Sequence, residues 1–210
     1  STIAIAVFPL MSRLAHTDKT QFRITLEKTL SLILLIGIPT SIGGFIFTDQ
    51  LIPLIFGQDY LGAIPILRIL MLMLLSSFPL ILLSNAIFSH NKQRNLAPAY
   101  TLGILANILL NVLLIPKFGA VGSAMATLAS TTTITIFIWR KLKIISHFEV
   151  LPKLKQSFIA TIVMVFFIFI FKYFETNFIL NILFSSIIYI STLYLLKEPL
   201  FKEIKEVMKK

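Results

Sequence analysis

Residues 96–139 read LAPAYTLGILANILLNVLLI-PKFG-AVGSAMATLASTTTITIFIW, which is two apolar stretches of 20 residues joined by the four residues PKFG. About 20 helical residues cross the hydrocarbon core of a bilayer, so each stretch is long enough for a transmembrane helix. Their connection has room only for a tight turn, so the two helices are expected to be antiparallel neighbours. Only helices or closed barrels span lipid, so this pair predicts a helical membrane fold.

Four other stretches are similarly apolar, and each is about as long or longer. They lie at residues 29–48, 63–89, 156–174 and 178–196. Residues 1–14 resemble the end of one more span, because they are apolar and lead into a basic connection. We therefore expect missing residues upstream, and an all-α, polytopic transmembrane helix bundle with six full spans plus a partial N-terminal span.

The basic residues are sorted by the side of the predicted membrane on which they fall. Of the 19 Lys and Arg residues, sixteen lie in one set of connections, whereas Lys117 and Lys172 lie in the other set. Because Lys and Arg accumulate on the cytoplasmic side, the basic connections and the C-terminus are predicted to be cytoplasmic. These connections comprise residues 13–28, 90–95, 140–155 and 197–210.

The composition excludes several classes of protein. Hydrophobic residues make up 57% of the chain and charged residues 13%, against about a quarter charged in soluble domains. A net charge of +10 could indicate nucleic-acid binding, but sorting by membrane side favours contacts with anionic lipids at the cytoplasmic face, and no nucleic-acid partner is expected. Cysteine is absent, so disulfides and thiolate metal sites are excluded.

No catalytic, metal-ligating or cofactor-binding constellation is visible in the sequence. His16, His90 and His147 fall in separate connections, and the carboxylates lie in connections, at span ends or in the tail. A membrane-embedded enzyme of polysaccharide assembly should carry a cluster of such residues. Ion-driven exporters often hold a carboxylate inside the membrane, whereas the sequence places none deep in a span. The sequence therefore predicts a protein that is not an enzyme, and leaves a structural membrane subunit as a further alternative.

Four polar residues inside the spans are candidates for a substrate-binding cavity. Arg68 is the only basic residue within a span, and it can either face an anionic substrate or extend to the outer headgroups. Asn107 and Asn111 share one face of a helix, and Asn85 lies in the preceding span. Such amides can bind sugar hydroxyls, but they more often join helices to one another.

Two short motifs in the chain favour particular packing. Gly122, Ala126 and Ser130 recur every four residues in the span 120–139, which allows another helix to approach closely. In the tail, residues 197–210, apolar residues recur at helical spacing on one face, and the other face consists of Lys and Glu. It is predicted to lie flat on the cytoplasmic leaflet as an amphipathic helix.

Three stretches resemble polysaccharide flippases. Residues 107–127 read NILLNVLLIPKFGAVGSAMAT, residues 9–13 read PLMSR and residues 54–60 read LIFGQDY, in the order that these flippases have. The chain resembles an O-antigen repeat-unit flippase of the multidrug/oligosaccharidyl-lipid/polysaccharide exporter superfamily. The resemblance covers residues 1–140, and the last two spans match in hydropathy alone.

The resemblance implies a bundle of 12 or 14 helices in two lobes around a cavity that opens alternately to each membrane face. Residues 1–140 would form the C-terminal lobe, residues 141–196 two peripheral terminal spans and residues 197–210 the cytoplasmic tail, with the N-terminal lobe missing. The substrate would be an undecaprenyl-pyrophosphate-linked oligosaccharide in a bacterial cytoplasmic membrane, with a polysaccharide polymerase as a further partner. A drug exporter of the same superfamily is the nearest alternative.

The same resemblance assigns an architectural role to three residues of the motif. Pro116, Gly119 and Gly122 would form a tight turn and a close helix contact, and would not bind substrate. Among the basic residues that such flippases place in their cavity, Arg68 is the one intramembrane candidate in this chain.

Overall fold

The computed structural model describes residues 2–198, and in this range all regular secondary structure is helical, without strands. Six of its seven α-helices are long and apolar enough to cross a membrane, so the predicted polytopic bundle is confirmed. Short 3-10 helices occupy the connections at Gln58–Ala63, Gln93–Asn95 and Leu151–Leu154. The tail predicted for residues 197–210 lies, from residue 199 onward, outside the described residues. The α-helices are α1 (Thr2–Thr17), α2 (Lys19–Ile55), α3 (Ile64–Ser89), α4 (Leu96–Phe118), α5 (Ala120–Ser146), α6 (Lys155–Tyr173) and α7 (Phe178–Leu195).

Helix α2 is much longer than the apolar stretch that predicted it. It has 37 residues, which is about 55 Å of helix at 1.5 Å per residue. Asp18 explains the early start, because its carboxylate accepts hydrogen bonds from the backbone N–H groups of Thr20 (2.9 Å) and Gln21 (3.0 Å). This N-cap supplies hydrogen-bond acceptors to N–H groups of the first turn, which have no partner within the helix. Lys19 and Arg23 therefore lie on a helix that extends beyond the membrane, and not in a flexible connection.

The helices form one larger group and one pair. Helix α3 packs against α1, α2 and α5, and α5 in turn packs along α4. Helices α6 and α7 pack on each other and are joined to the rest mainly through the contact of α6 with α2. Helix α2 therefore belongs to both groups, and it is the element through which they are held together.

The connection between α5 and α6 is folded into the larger apolar core. Phe148 is 1% exposed and Leu154 is 3% exposed. The Glu27 carboxylate on α2 accepts a hydrogen bond from the backbone N–H of Glu149 (2.9 Å) and forms an ion pair with Lys153 (2.6 Å). A half-buried carboxylate with these partners fixes the connection against α2.

Apolar side chains cover much of the outer surface of the bundle. Helix α4 buries only Leu96, Ala99 and Gly103, and its other faces are exposed. A soluble protein rarely exposes a patch of this kind, whereas lipid or another apolar protein surface covers it without cost. The exposed residues of α4 include Ile104, Leu105, Ile108, Leu109, Val112 and Leu113.

The predicted orientation can be tested with single cysteines, since the chain has none of its own. Gln58 and Lys143 are both exposed, and they lie at opposite ends of the bundle. We expect an impermeant thiol reagent to label Gln58→Cys in intact cells and to label Lys143→Cys only after permeabilisation, because the basic end should be cytoplasmic. The opposite labelling pattern would reverse the topology.

Candidate functional site

An ion pair lies at the end of the bundle that is predicted to face outward. Arg68 is just over one turn into α3, and its Nη2 atom lies 2.6 Å from Oδ2 of Asp49 on α2. The Arg68 guanidinium also lies over the ring of Phe45, at 5.7 Å from the ring centroid. The side chains of Arg68 and Asp49 remain 39% and 49% exposed. The guanidinium is therefore held in place, but it is still open to a ligand from one side.

The pairing of Arg68 with Asp49 was not predicted from the sequence, which treated Arg68 as an isolated cation. The sequence did contain a signal for this pair, because Asp49 directly follows the predicted span 29–48 and Arg68 lies near the start of the predicted span 63–89. Antiparallel neighbours bring those two positions to the same end of the bundle. Charged groups close to a membrane span are costly unless they find a partner or reach the interface. Asp49 and Arg68 were therefore candidates to pair with each other.

An apolar groove of about 510 Å³ lies between α2, α6 and α7. Gly43 leaves space on the α2 side, because a Cβ atom added there would meet only the Met164 Cε atom, at 3.9 Å. Gly44 instead lets Met71 of α3 approach closely, because an added Cβ atom would lie 2.5 Å from the Met71 Sδ atom. Met71, which contributes to the groove from α3, lies one turn after Arg68 and therefore on the same side of that helix. Arg68 itself does not line the groove, but it lies one turn from Met71, at the α3 edge of the groove.

Tyr189 connects α7 to α2 beside this groove. Pro39 has no backbone N–H, so the carbonyl oxygen of Leu35, one turn earlier, loses its helical partner. The Tyr189 hydroxyl donates a hydrogen bond to that oxygen at 2.6 Å, and the Ser157 hydroxyl of α6 lies 3.0 Å from the Tyr189 oxygen. Inside a membrane a neighbour must satisfy the carbonyl that a proline frees, and Tyr189 is that neighbour for Leu35.

The two asparagines of α4 are close together and engage α5. Asn107 Nδ2 donates to Ser130 Oγ (3.1 Å), and Asn111 Nδ2 donates to Asn107 Oδ1 (2.9 Å). The Asn111 carbonyl oxygen is buried and has no hydrogen-bond partner within the described residues. These contacts favour a role in joining α4 to α5, while the orphaned oxygen leaves Asn111 free to bind a further donor.

Asn85 does not share a site with the other candidates. Its Nδ2 atom donates to the Ala4 carbonyl oxygen of α1 at 3.1 Å. Arg68 lies 17 residues earlier on the same helix, which is about 25 Å along its axis. The structure therefore brings Asn107 and Asn111 together, and places Arg68 and Asn85 apart.

The turn between α4 and α5 has the geometry of a tight helical hairpin. Gly119 has φ +56° and ψ −134°, a conformation that side chains other than hydrogen rarely permit. A Cβ atom on Gly122 would overlap the carbonyl group of Leu114, whose carbon would lie 2.6 Å away. Pro116 lies within the last turn of α4. The backbone at both glycines therefore requires glycine.

A family model described as lipid II flippase MurJ matches residues 1–193 of the chain. The chain belongs to this family. The fold agrees, because a solved structure of lipid II flippase MurJ in an inward closed conformation superposes with a TM-score of 0.82 over 95% of this chain, at 20% sequence identity. The superfamily expected from the motif in residues 107–127 is thereby confirmed.

Two curated relatives are also similar to this chain. One, "Probable low-salt glycan biosynthesis flippase Agl15" of Haloferax volcanii, is 26% identical over 64% of the chain. The other, an uncharacterized membrane protein of Methanocaldococcus jannaschii, is 30% identical over 70% of the chain. The matches span 29% of each relative's length and 44% of the solved MurJ chain. Flippases are transporters and not enzymes.

The Tyr189 contact gives a test of how this MurJ-family chain is held together. Tyr189→Phe removes the hydrogen bond to Leu35, so we expect the free energy of unfolding to fall by about 1 kcal/mol. The melting temperature should then be about 2–4 °C lower. Thermal unfolding in detergent measures the change. Tyr194→Phe, on the same helix with a 66% exposed side chain, is the matched control and should have no effect. An equal stability for both variants would exclude the proposed role of Tyr189.

Proposed function

We propose that this chain is part of a transporter that moves a lipid-linked glycan across the membrane in which it lies. The observation that carries the proposal is the position of a cation, Arg68, one helical turn from Met71, which lines an apolar groove, in a chain of the MurJ family. A lipid-linked glycan is itself amphipathic, with a phosphate next to a long hydrocarbon chain. The groove suits part of that chain, and guanidinium suits the phosphate.

The substrate that we propose is an undecaprenyl-pyrophosphate-linked oligosaccharide. The family's name points to lipid II and the haloarchaeal relative's name to a glycan, and both descriptions are consistent with a sugar on a lipid carrier. The motif in residues 107–127 adds the likeness to O-antigen repeat-unit flippases. The membrane would be a bacterial cytoplasmic membrane with the C-terminus inside, and a polysaccharide polymerase would take up the product.

We further propose that a second lobe completes the transporter. Alternating access requires two bodies that move against each other around a central site. The chain covers 44% of the solved MurJ chain, which is about one lobe. The exposed apolar face of α4 then has two suitable neighbours, the surrounding lipid and the other lobe.

Substitutions at the ion pair test the role of Arg68 in transport. Arg68→Ala should reduce export of the lipid-linked glycan by about tenfold or more, because a charge-assisted hydrogen bond to phosphate is lost. Arg68→Lys should retain part of the activity. Asp49→Asn should export nearly as well as the unchanged protein, because the guanidinium remains. Surface glycan at matched protein levels is the measurement.

The pattern of these three variants separates a substrate contact from a structural tie. If Arg68 and Asp49 only hold α2 and α3 together, then Arg68→Ala and Asp49→Asn should have the same effect on export. Equal losses, or no loss in either variant, would remove Arg68 from the proposed substrate path.

Filling the groove tests whether it accommodates the lipid chain. Gly43→Leu should reduce export, because the added side chain enters the space between α2 and α6, and only Met164 lies near the added Cβ atom. Gly62→Leu makes the same chemical change where an added Cβ meets nothing within 4 Å, and it should leave export unchanged. Normal export by a stably folded Gly43→Leu protein would contradict a lipid path through the groove.

A further inference from the structure

A second cavity, of about 390 Å³, lies at the end of the bundle that carries the basic connections, away from the Arg68–Asp49 pair. The start of α2, the connection after α3 and the end of α5 enclose it. Its volume is within the range of small-molecule sites. Three cations and two histidines line it, and no carboxylate does. The residues that matter for the argument are Lys19, Arg23, Lys92, His90, Ser146 and His147.

His90 forms the inner wall of this basic pocket and is fixed from two sides. Its ring packs edge-on against Phe22 of α2, with ring centroids 4.5 Å apart, and Phe22 is 1% exposed. On the opposite side, Ser146 Oγ of α5 lies 3.3 Å from His90 Nε2. The pocket is therefore built on side chains held in place by three helices, and it does not rest on loose surface lysines alone.

The ends of α3 and α5 have backbone geometry that directs their residues to the pocket. Asn91 adopts a left-handed conformation (φ 55°), and the N–H of Lys92 bonds to the Ile87 carbonyl at 3.2 Å. Together with the bond from the Asn91 N–H to the Phe88 carbonyl (2.9 Å), this is a Schellman motif, which satisfies the last carbonyls of α3. His147 is also left-handed (φ 46°) and ends α5.

Three carboxylates lie near the pocket in sequence; Asp18 and Glu27 have partners, and Glu149 is exposed and does not line the pocket. Asp18 caps the first turn of α2 through the N–H groups of Thr20 and Gln21. Glu27 accepts from Lys153 at 2.6 Å and lies 3.9 Å from Arg23. The long distance from Arg23 to Glu27 leaves the guanidinium available to a closer anion. The cations of the pocket thus have no strong partner among the residues that line it.

We propose that this basic pocket binds the phosphate group of a membrane lipid. Lys19, Arg23 and Lys92 supply the charge, and Ser146 supplies a hydroxyl donor. Ile145 adds apolar surface, which suits a lipid better than a fully hydrated anion. Anionic lipids are concentrated in the cytoplasmic leaflet, where each nearby Lys or Arg contributes to attraction. The phosphate can come from a phospholipid or from a polyprenyl pyrophosphate, and the latter source rests on the proposed function.

Binding can be measured on the purified full chain by native mass spectrometry in detergent. The probes are phosphatidylglycerol, phosphatidylcholine, undecaprenyl pyrophosphate and inorganic phosphate. The triple variant Lys19→Gln, Arg23→Gln, Lys92→Gln should lower affinity for the anionic lipids by about tenfold or more. The control triple Arg13→Gln, Arg94→Gln, Lys155→Gln removes the same charge from exposed positions of the same end and should change affinity little. Thermal unfolding of both triples checks that they are folded.

The probes distinguish the sources of the phosphate. Pocket-dependent binding of phosphatidylglycerol identifies a phospholipid site, and pocket-dependent binding of undecaprenyl pyrophosphate alone identifies a substrate site. Equal losses in the two triples would mean that diffuse charge, and not the pocket, attracts lipid, which overturns the proposal. Binding of inorganic phosphate as tightly as of the lipids would also overturn it. Neither result depends on transport, so the proposed function is tested separately.

The pH dependence of binding provides a second readout. Burial lowers the pKa of His90 below its usual value, and the positive charges of Lys92, His16 and Lys19 lower it further. Arg23 and His147 also line the pocket, and Asp18 is engaged at the helix cap. A bound phosphate offsets these charges, so binding should favour protonated His90 and tighten as the pH falls from about 8 to about 6. His90→Gln should reduce this dependence, and an unchanged slope would contradict contact between the phosphate and His90.

Discussion

Every backbone carbonyl that lies in the bilayer must find a hydrogen bond inside the protein, and this constraint shapes how the bundle is assembled. Pro39 breaks the constraint in the longest helix, because it leaves the carbonyl of Leu35 without a helical partner. The hydroxyl of Tyr189 restores it from α7 at 2.6 Å. This hydrogen bond between residues 154 positions apart therefore ties α7 to α2, in addition to the packing of α6 on α2.

Helix α2 is the element on which both candidate sites depend. Its outer half carries Asp49 and one wall of the apolar groove, and its inner end supplies Lys19 and Arg23 to the basic pocket. One helix of 37 residues therefore supplies two cations of the basic pocket at one end and, toward the other end, Asp49, the partner of Arg68 on α3.

The sequence predicted the six spans, the tight turn at Gly119 and the superfamily, because each of these depends on local information. Hydropathy indicated the spans, the short connection PKFG indicated the turn, and the resemblance to flippases assigned the turn to Pro116, Gly119 and Gly122. The extent of α2 was missed, because a hydropathy window detects only the part of a helix that lies in lipid, whereas Asp18 starts the helix in water. The Arg68–Asp49 pair was missed because Asp49 was assigned to the connection after the span 29–48, whereas Arg68 was treated as an isolated cation inside the next span.

The basic pocket could not be read from the sequence, since its cations come from the start of α2 and from the connection after α3, which meet only in the folded chain. The central claim, that this chain supplies one lobe of a lipid-linked glycan transporter, is tested most directly in proteoliposomes. The measurement is translocation of the headgroup of an undecaprenyl-pyrophosphate-linked oligosaccharide, with residues 1–210 reconstituted alone or together with a MurJ-family N-terminal lobe. The account predicts translocation only when both lobes are present. Translocation by residues 1–210 alone would contradict it, and would indicate that two copies of this chain replace the two lobes.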